Sequence, residues 1–475
     1  MRPFLWKNRA LPCHSWGLIV GLLSAMIAQT ALCEQGVLTL ESVLSSTRRA
    51  FPSILEAEEK RRASESAIQA AQGSFDAKLK TDVYGYQEGY YDGRVIDTKV
   101  EKPLPVFGIQ LDGSYRRSNG TFPVYEGNID TASGGELGLG ILLPLMRDRL
   151  IDEPRAKVAS SQLDMKSADA SLKKARIEVL RDARAAYWTW IAAGLQRKVI
   201  ADLVSVAELR QKQLDVAVQA GDKPQFDLLD NSRTIFKRQT ELAKAEQIIA
   251  KAAIQLSLYY RDGEGNPSIP PAHHASDSLA HTIDVTTLNE EELIKEGIQN
   301  RPELQSLEAK LQKAGIQIDL GNNLLQPRLN LKVGGYAPVG SGDKSLTENE
   351  VKVGINVEVP LELNKPRGMV AEGLAKQRAV DAKTRLTRDK IEAEIRKHIR
   401  ALQLTEGRIA AARESRIAAD QVADGERARF QHGDSNLVFV VIREQTAAEA
   451  ALDELSALLD FHLIHAELLA ALGQV

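Results

Sequence analysis

The sequence predicts a mainly α-helical, internally duplicated chain in which each half runs helix, β-hairpin, very long helix, glycine turn, helix. Three observations predict it. A tract from about Asp152 to Ala220, ending at Gly221, carries apolar and small residues at helical spacing (Leu163, Ala170, Ile177, Leu180, Ala183, Tyr187, Ile191) and no proline after Pro154. At 1.5 Å per residue it is a rod of about 100 Å, where ordinary globular helices run three or four turns. A second tract of matching length, from about Pro366 to His432, ends in Gly433. Ahead of each rod lies a stretch of strand texture, so the long helix is one part of a repeat.

Composition fits. Charged residues make up 26% of the 475, the net charge is only -3 and aromatics are 5%, which is a long-helix balance without the basic, aromatic-laced face that nucleic acid requires. Residues 1–33 read as a secretory signal: Arg2, Lys7 and Arg9, the apolar run GLIVGLLSAMIA from Gly17, then Ala31-Leu32-Cys33 before Glu34. The run is short for a membrane-spanning anchor. Cys33 also admits a lipoprotein reading, against which Leu32 stands where a small residue is wanted. Cleavage after Cys33 would leave no cysteine in the exported chain.

The first repeat is expected over 34–260. Leu38 to about Phe75 reads as one helix, with Thr39 or Ser42 as its cap, Pro52 near its beginning and apolar positions Val43, Leu44, Ile54 and Leu55. Strands are expected within 79–145, where Leu79, Thr81, Val83 and Leu137, Leu139, Ile141, Leu143 alternate with polar residues and turn clusters separate four pieces. Tyr84, Tyr86, Tyr90, Tyr91, Tyr115, Tyr125 and, in the second repeat, Tyr336 gather on these segments. A lipid-facing barrel with aromatic girdles would look like this, and so would a soluble β-sandwich. The long helix 152–220, a break at QAGDKPQFD and a helix to about Tyr260 complete the half.

Residues 261–287, rich in Pro, Gly, Ser and Asp, read as the inter-repeat linker. His273, His274 and His281 lie there without the cysteines or close carboxylates of a metal site, so no metal or cofactor is expected. The second repeat, 288–475, replays the first: Pro302 falls on Pro52, Leu329 on Leu79, Tyr336 on Tyr86, Pro360 on Pro144 and Gly433 on Gly221, with strands expected within 329–360 and the long helix over 366–432.

A few strands per chain cannot close a barrel, and open edges are not tolerated in lipid. Closure therefore needs several copies around one axis. NRPEL (Asn300 to Leu304), PRLNL, VPLEL, AAYW (Ala185 to Trp188), AGDKPQFDLLDN and HGDSNLVFVVI at the two turns, and the closing ELLAALG are similar to the TolC-type outer-membrane efflux protein family, over essentially the whole chain after the signal. The resemblance implies a homotrimer: a transmembrane β-barrel in outer-membrane lipid, continued by a long periplasmic α-helical barrel with an equatorial region from the linker. It implies an exit duct of a tripartite efflux or type I secretion system, passive and gated at the helix tips, docking on a periplasmic adaptor protein and an inner-membrane transporter. The alternative is a periplasmic coiled-coil structural or adaptor protein. No catalytic constellation is present, so no enzyme is expected.

Two departures from the family pattern stand out. The first β region is about twice as long as the second, enough for an additional hairpin, giving eighteen strands where the family has twelve, or a loop outside the barrel. Asp227 and Asp230 follow the first glycine turn, whereas Phe439 and Ile442 take those places in the second. Gly221 and Gly433 are expected in left-handed conformation, reversing each rod. Asp222, Asp227, Asp230 and Asp434 would ring the tunnel mouth or serve as helix N-caps. Arg429 and Phe430, with Arg427 nearby, are the candidates for a network holding the closed state, a role the resemblance implies.

Overall fold

The computed structural model describes residues 36–474 except 128, 277 and 280–283. The signal segment with Cys33, and His281, lie outside the described residues. The order is α1 (Leu40–Ala50), α2 (Pro52–Gln72), β1 (Lys78–Gly85), β2 (Arg94–Pro103), β3 (Gln110–Asn119), β4 (Glu136–Pro144), α3 (Glu153–Gln219), α4 (Gln225–Ser257), α5 (Glu290–Asn300), α6 (Pro302–Leu324), β5 (Arg328–Pro338), β6 (Glu350–Glu358), α7 (Asn364–Gln431) and α8 (Leu437–Ala471).

The opening helix is two helices. Phe51 is extended at φ -75°, ψ 124°, because the ring of Pro52 excludes the helical region for the residue before it. The second repeat breaks identically at Arg301 (φ -67°, ψ 121°) ahead of Pro302. Thr39 caps α1 by accepting from Ser42 N–H, and Asp152 caps α3 by accepting from Arg155 N–H. The two rods α3 and α7 hold 67 and 68 residues. Among the described residues no helix is long and apolar enough to cross a membrane.

All six strands form one antiparallel sheet in sequential order. The register makes its two faces chemically different. Leu79 pairs with Val100, Val83 with Ile96, Leu111 with Ile141, Leu139 with Gly335, Ile141 with Val333 and Val333 with Val353, so every one of the six strands contributes apolar residues to one shared face. The other face carries Lys80, Asp82, Asp97, Lys99, Asp112, Arg116, Lys332 and Lys352. It is the apolar face that lies bare: Leu79 is 69% exposed, Leu139 76% and Val353 68%. A sheet that turns bare hydrocarbon outward and charge inward is built for lipid outside and water inside. Among the described residues, strands β1 and β6 are unpaired edges.

Where sheet meets helices, Asp148 is the joint. Its backbone has φ 69°, and its carboxylate takes hydrogen bonds from Asn323 Nδ2 (3.2 Å) and Arg328 Nε (3.3 Å), joining the β4–α3 connection to α6 and β5. The main apolar core sits midway along the rods. Trp190 and Ile191 of α3, Leu256 of α4, Ile395 and Leu402 of α7 and Phe461 of α8 pack there with Val43 of α1. Trp188 stacks on His462 at 3.8 Å, and Tyr187 donates its hydroxyl to the Leu38 carbonyl (3.0 Å).

Candidate functional site

The far ends of the two helical hairpins carry the expected tip residues. Gly221 has φ +82° and Gly433 φ +85°, and neither has another atom within 4 Å of a Cβ position, so the constraint on both is backbone conformation alone. Each turn is a complete double-bonded helix stop. Gly221 N–H reaches Val218 O (3.0 Å) and Asp222 N–H reaches Ala217 O (2.9 Å), while Gly433 N–H reaches Phe430 O (3.2 Å) and Asp434 N–H reaches Arg429 O (2.9 Å).

Asp222 and Asp434 serve these turns through their backbone N–H groups, and neither caps the helix that follows. The N-cap of α4 is Pro224, which brings no side-chain acceptor, and that of α8 is Asn436, which accepts from Phe439 N–H. Asp227 lies in the first turn of α4. Asp230, one turn on, is paired with Arg233 at 3.1 Å. Arg429 braces its own turn, donating to Asp434 O (3.2 Å) and pairing with Glu426 (3.4 Å). Phe430 makes the contact between hairpins: the Lys223 ammonium of the first turn stands 4.8 Å from its ring centre.

About two helical turns from the tip lies a cluster that sequence reading missed. Glu444 of α8 is fully buried. Its carboxylate accepts from Arg210 of α3, from Arg238 of α4 (2.9 Å) and from Arg427 of α7 (3.1 Å). Arg238 also donates to Leu203 O (2.8 Å), and buried Asn231 donates to Ala207 O (3.0 Å) and Gln211 Oε1 (2.7 Å). One carboxylate thus ties all four helices of the tip region. Burial pushes the Glu444 carboxyl up, but the charges and hydrogen bonds of Arg210 and Arg238 outweigh it and leave it below the usual range. The signal was present in part. Glu444 falls on the stripe Leu437, Val440, Ala447, Ala448, a charge where the period calls for an apolar residue. Arg210 and Arg238, more than two hundred residues away in sequence, gave no such cue.

A second buried carboxylate, Glu454, ties α8 to Arg413 (3.1 Å) and Arg416 of α7 and stays within that hairpin. In the linker, the His273 and His274 rings meet edge-on at 4.5 Å.

The sequence model of the family described as outer membrane efflux protein matches residues 96–260 and 293–474, one span in each half. Solved outer-membrane channels share the fold. The Campylobacter jejuni CmeC channel is 13% identical, with 98% of this chain and 94% of that one covered at a TM-score of 0.62. The open state of the Neisseria gonorrhoeae MtrE channel is 14% identical, covering 92% and 89% at 0.62. The channel OprN is 15% identical, covering 92% and 90% at 0.61. No curated protein sequence matches the chain significantly.

Proposed function

The chain belongs to the outer membrane efflux protein family, and from that premise we propose that it is the outer-membrane exit duct of a tripartite efflux or type I secretion system, assembled as a homotrimer. The observation that carries this reading is the sheet. It has one bare apolar face, one charged face and two unpaired edges, and it continues directly into paired rods of about 100 Å. Copies around one axis satisfy those edges against each other and turn the charged face onto water. The same disposition speaks against a periplasmic adaptor or structural coiled coil, which has no use for a band of exposed Leu, Val and Ile. Transport through such a duct is passive, and the energy comes from an inner-membrane transporter reached through a periplasmic adaptor at the helix tips.

The tips are the gate in this reading. Lys223 over Phe430 and the Glu444 cluster tie the α3–α4 hairpin to the α7–α8 hairpin. Widening the mouth requires those ties to loosen, whereas the glycine turns hold each hairpin together throughout. The test is electrical. The protein extracted from membranes as a trimer and added to a planar bilayer is expected to insert and conduct in discrete steps. A purified trimer that inserts without conducting would refute the duct.

A further inference from the structure

We infer that the hairpin β2–β3 is an inserted panel of the transmembrane wall, so that this barrel has eighteen strands, six from each of three copies, and a bore wider than the helical tube beneath it. The inference rests on the trimeric duct proposed above. Four observations carry it. Strands β2 and β3 are 10 residues each, the length that crosses the hydrocarbon layer at the usual tilt. They are paired without a gap to β1 on one side and β4 on the other, so they interrupt the sheet rather than hang from it.

Their burial is the reverse of that of a hairpin in water. Ile96, Val100 and Leu111, on the apolar face, are 45%, 42% and 41% exposed, while Val95 and Asp97, on the charged face, are 1% and 8% exposed. What covers the charged face is the chain's own β3–β4 loop. Ser118 N–H donates to Thr131 Oγ1 (3.1 Å), Ala132 is buried, and the Phe122 ring lies where a Cβ on Gly93 would stand. A loop folded onto the inner wall needs room inside, and a larger strand number supplies it, since barrel diameter grows roughly in proportion to strand count.

The fourth observation concerns the helical end. Helices α2, α3, α6 and α7 join β1, β4, β5 and β6, and among the described residues no α-helix joins β2 or β3. The six-residue turn between them, Leu104 to Ile109, closes on itself and packs on the joint. Gly108 (φ +67°) lies so close to the Asp148 carbonyl that a Cβ would fall 2.2 Å from it. Six strands per copy therefore stand on four helices, and this turn covers the step between the wide wall and the narrower tube. Arg94, Lys102 and Arg117, the charges on the lipid-side face of the hairpin, sit toward its two ends, Lys102 at one and Arg94 and Arg117 at the other, where long cationic side chains reach the headgroups.

The experiment is cysteine labelling of the full-length trimer in lipid vesicles, with labelling of the unsubstituted chain subtracted. Val100→Cys and Leu111→Cys are expected to react with a membrane-impermeant maleimide at least about tenfold more slowly than Ser114→Cys on the inner face, because a thiol in hydrocarbon stays protonated and unreactive. Leu139→Cys, on β4, sets the fully shielded reference. Trimers in which Leu111→Cys labels as fast as Ser114→Cys while Leu139→Cys stays shielded would place the hairpin in water and overturn the eighteen-stranded wall, leaving the duct intact. A protein that forms no trimer would overturn both.

Discussion

Replacing Glu444 by glutamine should loosen the tips more than any other single isosteric change in the chain. The substitution keeps shape and volume but removes the one charge shared by Arg210, Arg238 and Arg427. The side chains of Arg210 and Arg238 are 7% and 2% exposed, so water cannot take the carboxylate's place. Removing one partner of a buried ion pair costs about 3–5 kcal/mol. At about 1.4 kcal/mol per decade, the tip should open locally about a hundred to several thousand times more often. Hydrogen exchange on the solubilised assembly reads this directly, in α8 from Leu437 to Ala448 and in α4 from Asn231 to Arg238. Glu449→Gln, the same charge change at an exposed site on α8, is the control and should stay within about 0.5 kcal/mol. Arg210→Met with Arg238→Met and Glu444→Leu should restore protection, since an apolar set of similar volume often matches a buried ion cluster. Exchange in Glu444→Gln within about threefold of the parent chain, a shift of less than 1 kcal/mol, would refute the cross-brace.

Further outcomes follow from the same geometry. The folded Glu444 carboxyl lies below its ordinary value, so its contribution is fully present above the unfolded value of about 4.3 and is lost as pH falls through the folded one. Tip exchange should therefore be flat from neutral pH down to about 5, allowing for intrinsic rates, and rise only below the ordinary carboxylate range; a step between pH 6 and 7 would point to a different group. Gly221→Ala and Gly433→Ala should each destabilise by about 1–2 kcal/mol through the left-handed backbone alone, with asparagine milder, as read by tip exchange. Leu139→Arg places a charge on the lipid face and should cost about 2–4 kcal/mol of membrane stability, reducing trimer in the membrane fraction, whereas Lys80→Leu on the opposite face should assemble normally. Asp227→Asn should lower cation preference in bilayer reversal potentials. Asp230→Asn should shift it further by freeing Arg233, and unchanged potentials for both would place them away from the ion path.

Local signals were legible where the chemistry repeats along the chain. The rods, the glycine stops and the alternation of Leu79, Thr81, Val83 follow from periods of 3.6 and 2, which neighbouring residues alone set. The helical period alone places Pro52 early in one helix, yet it divides two, because the ring acts backward on Phe51. Residue type alone makes the aspartates at the turns possible N-caps. The stops use their backbone N–H groups, and Asn436 takes the cap. The role of Glu444 is not legible in sequence because it depends on Arg210 and Arg238, which only the meeting of two distant hairpins brings to it. The length of the first β region announced a surplus hairpin. Its place between β1 and β4 needed the register.

The central claim is that several copies enclose one continuous water-filled passage, and a density map of the purified protein in lipid nanodiscs tests it most directly. Three copies around a single axis are expected, with an unbroken bore running from the strand wall through the helical tube to the Gly221 and Gly433 turns. A lone copy whose sheet curls closed on itself, with its charged face packed and dry, would contradict it.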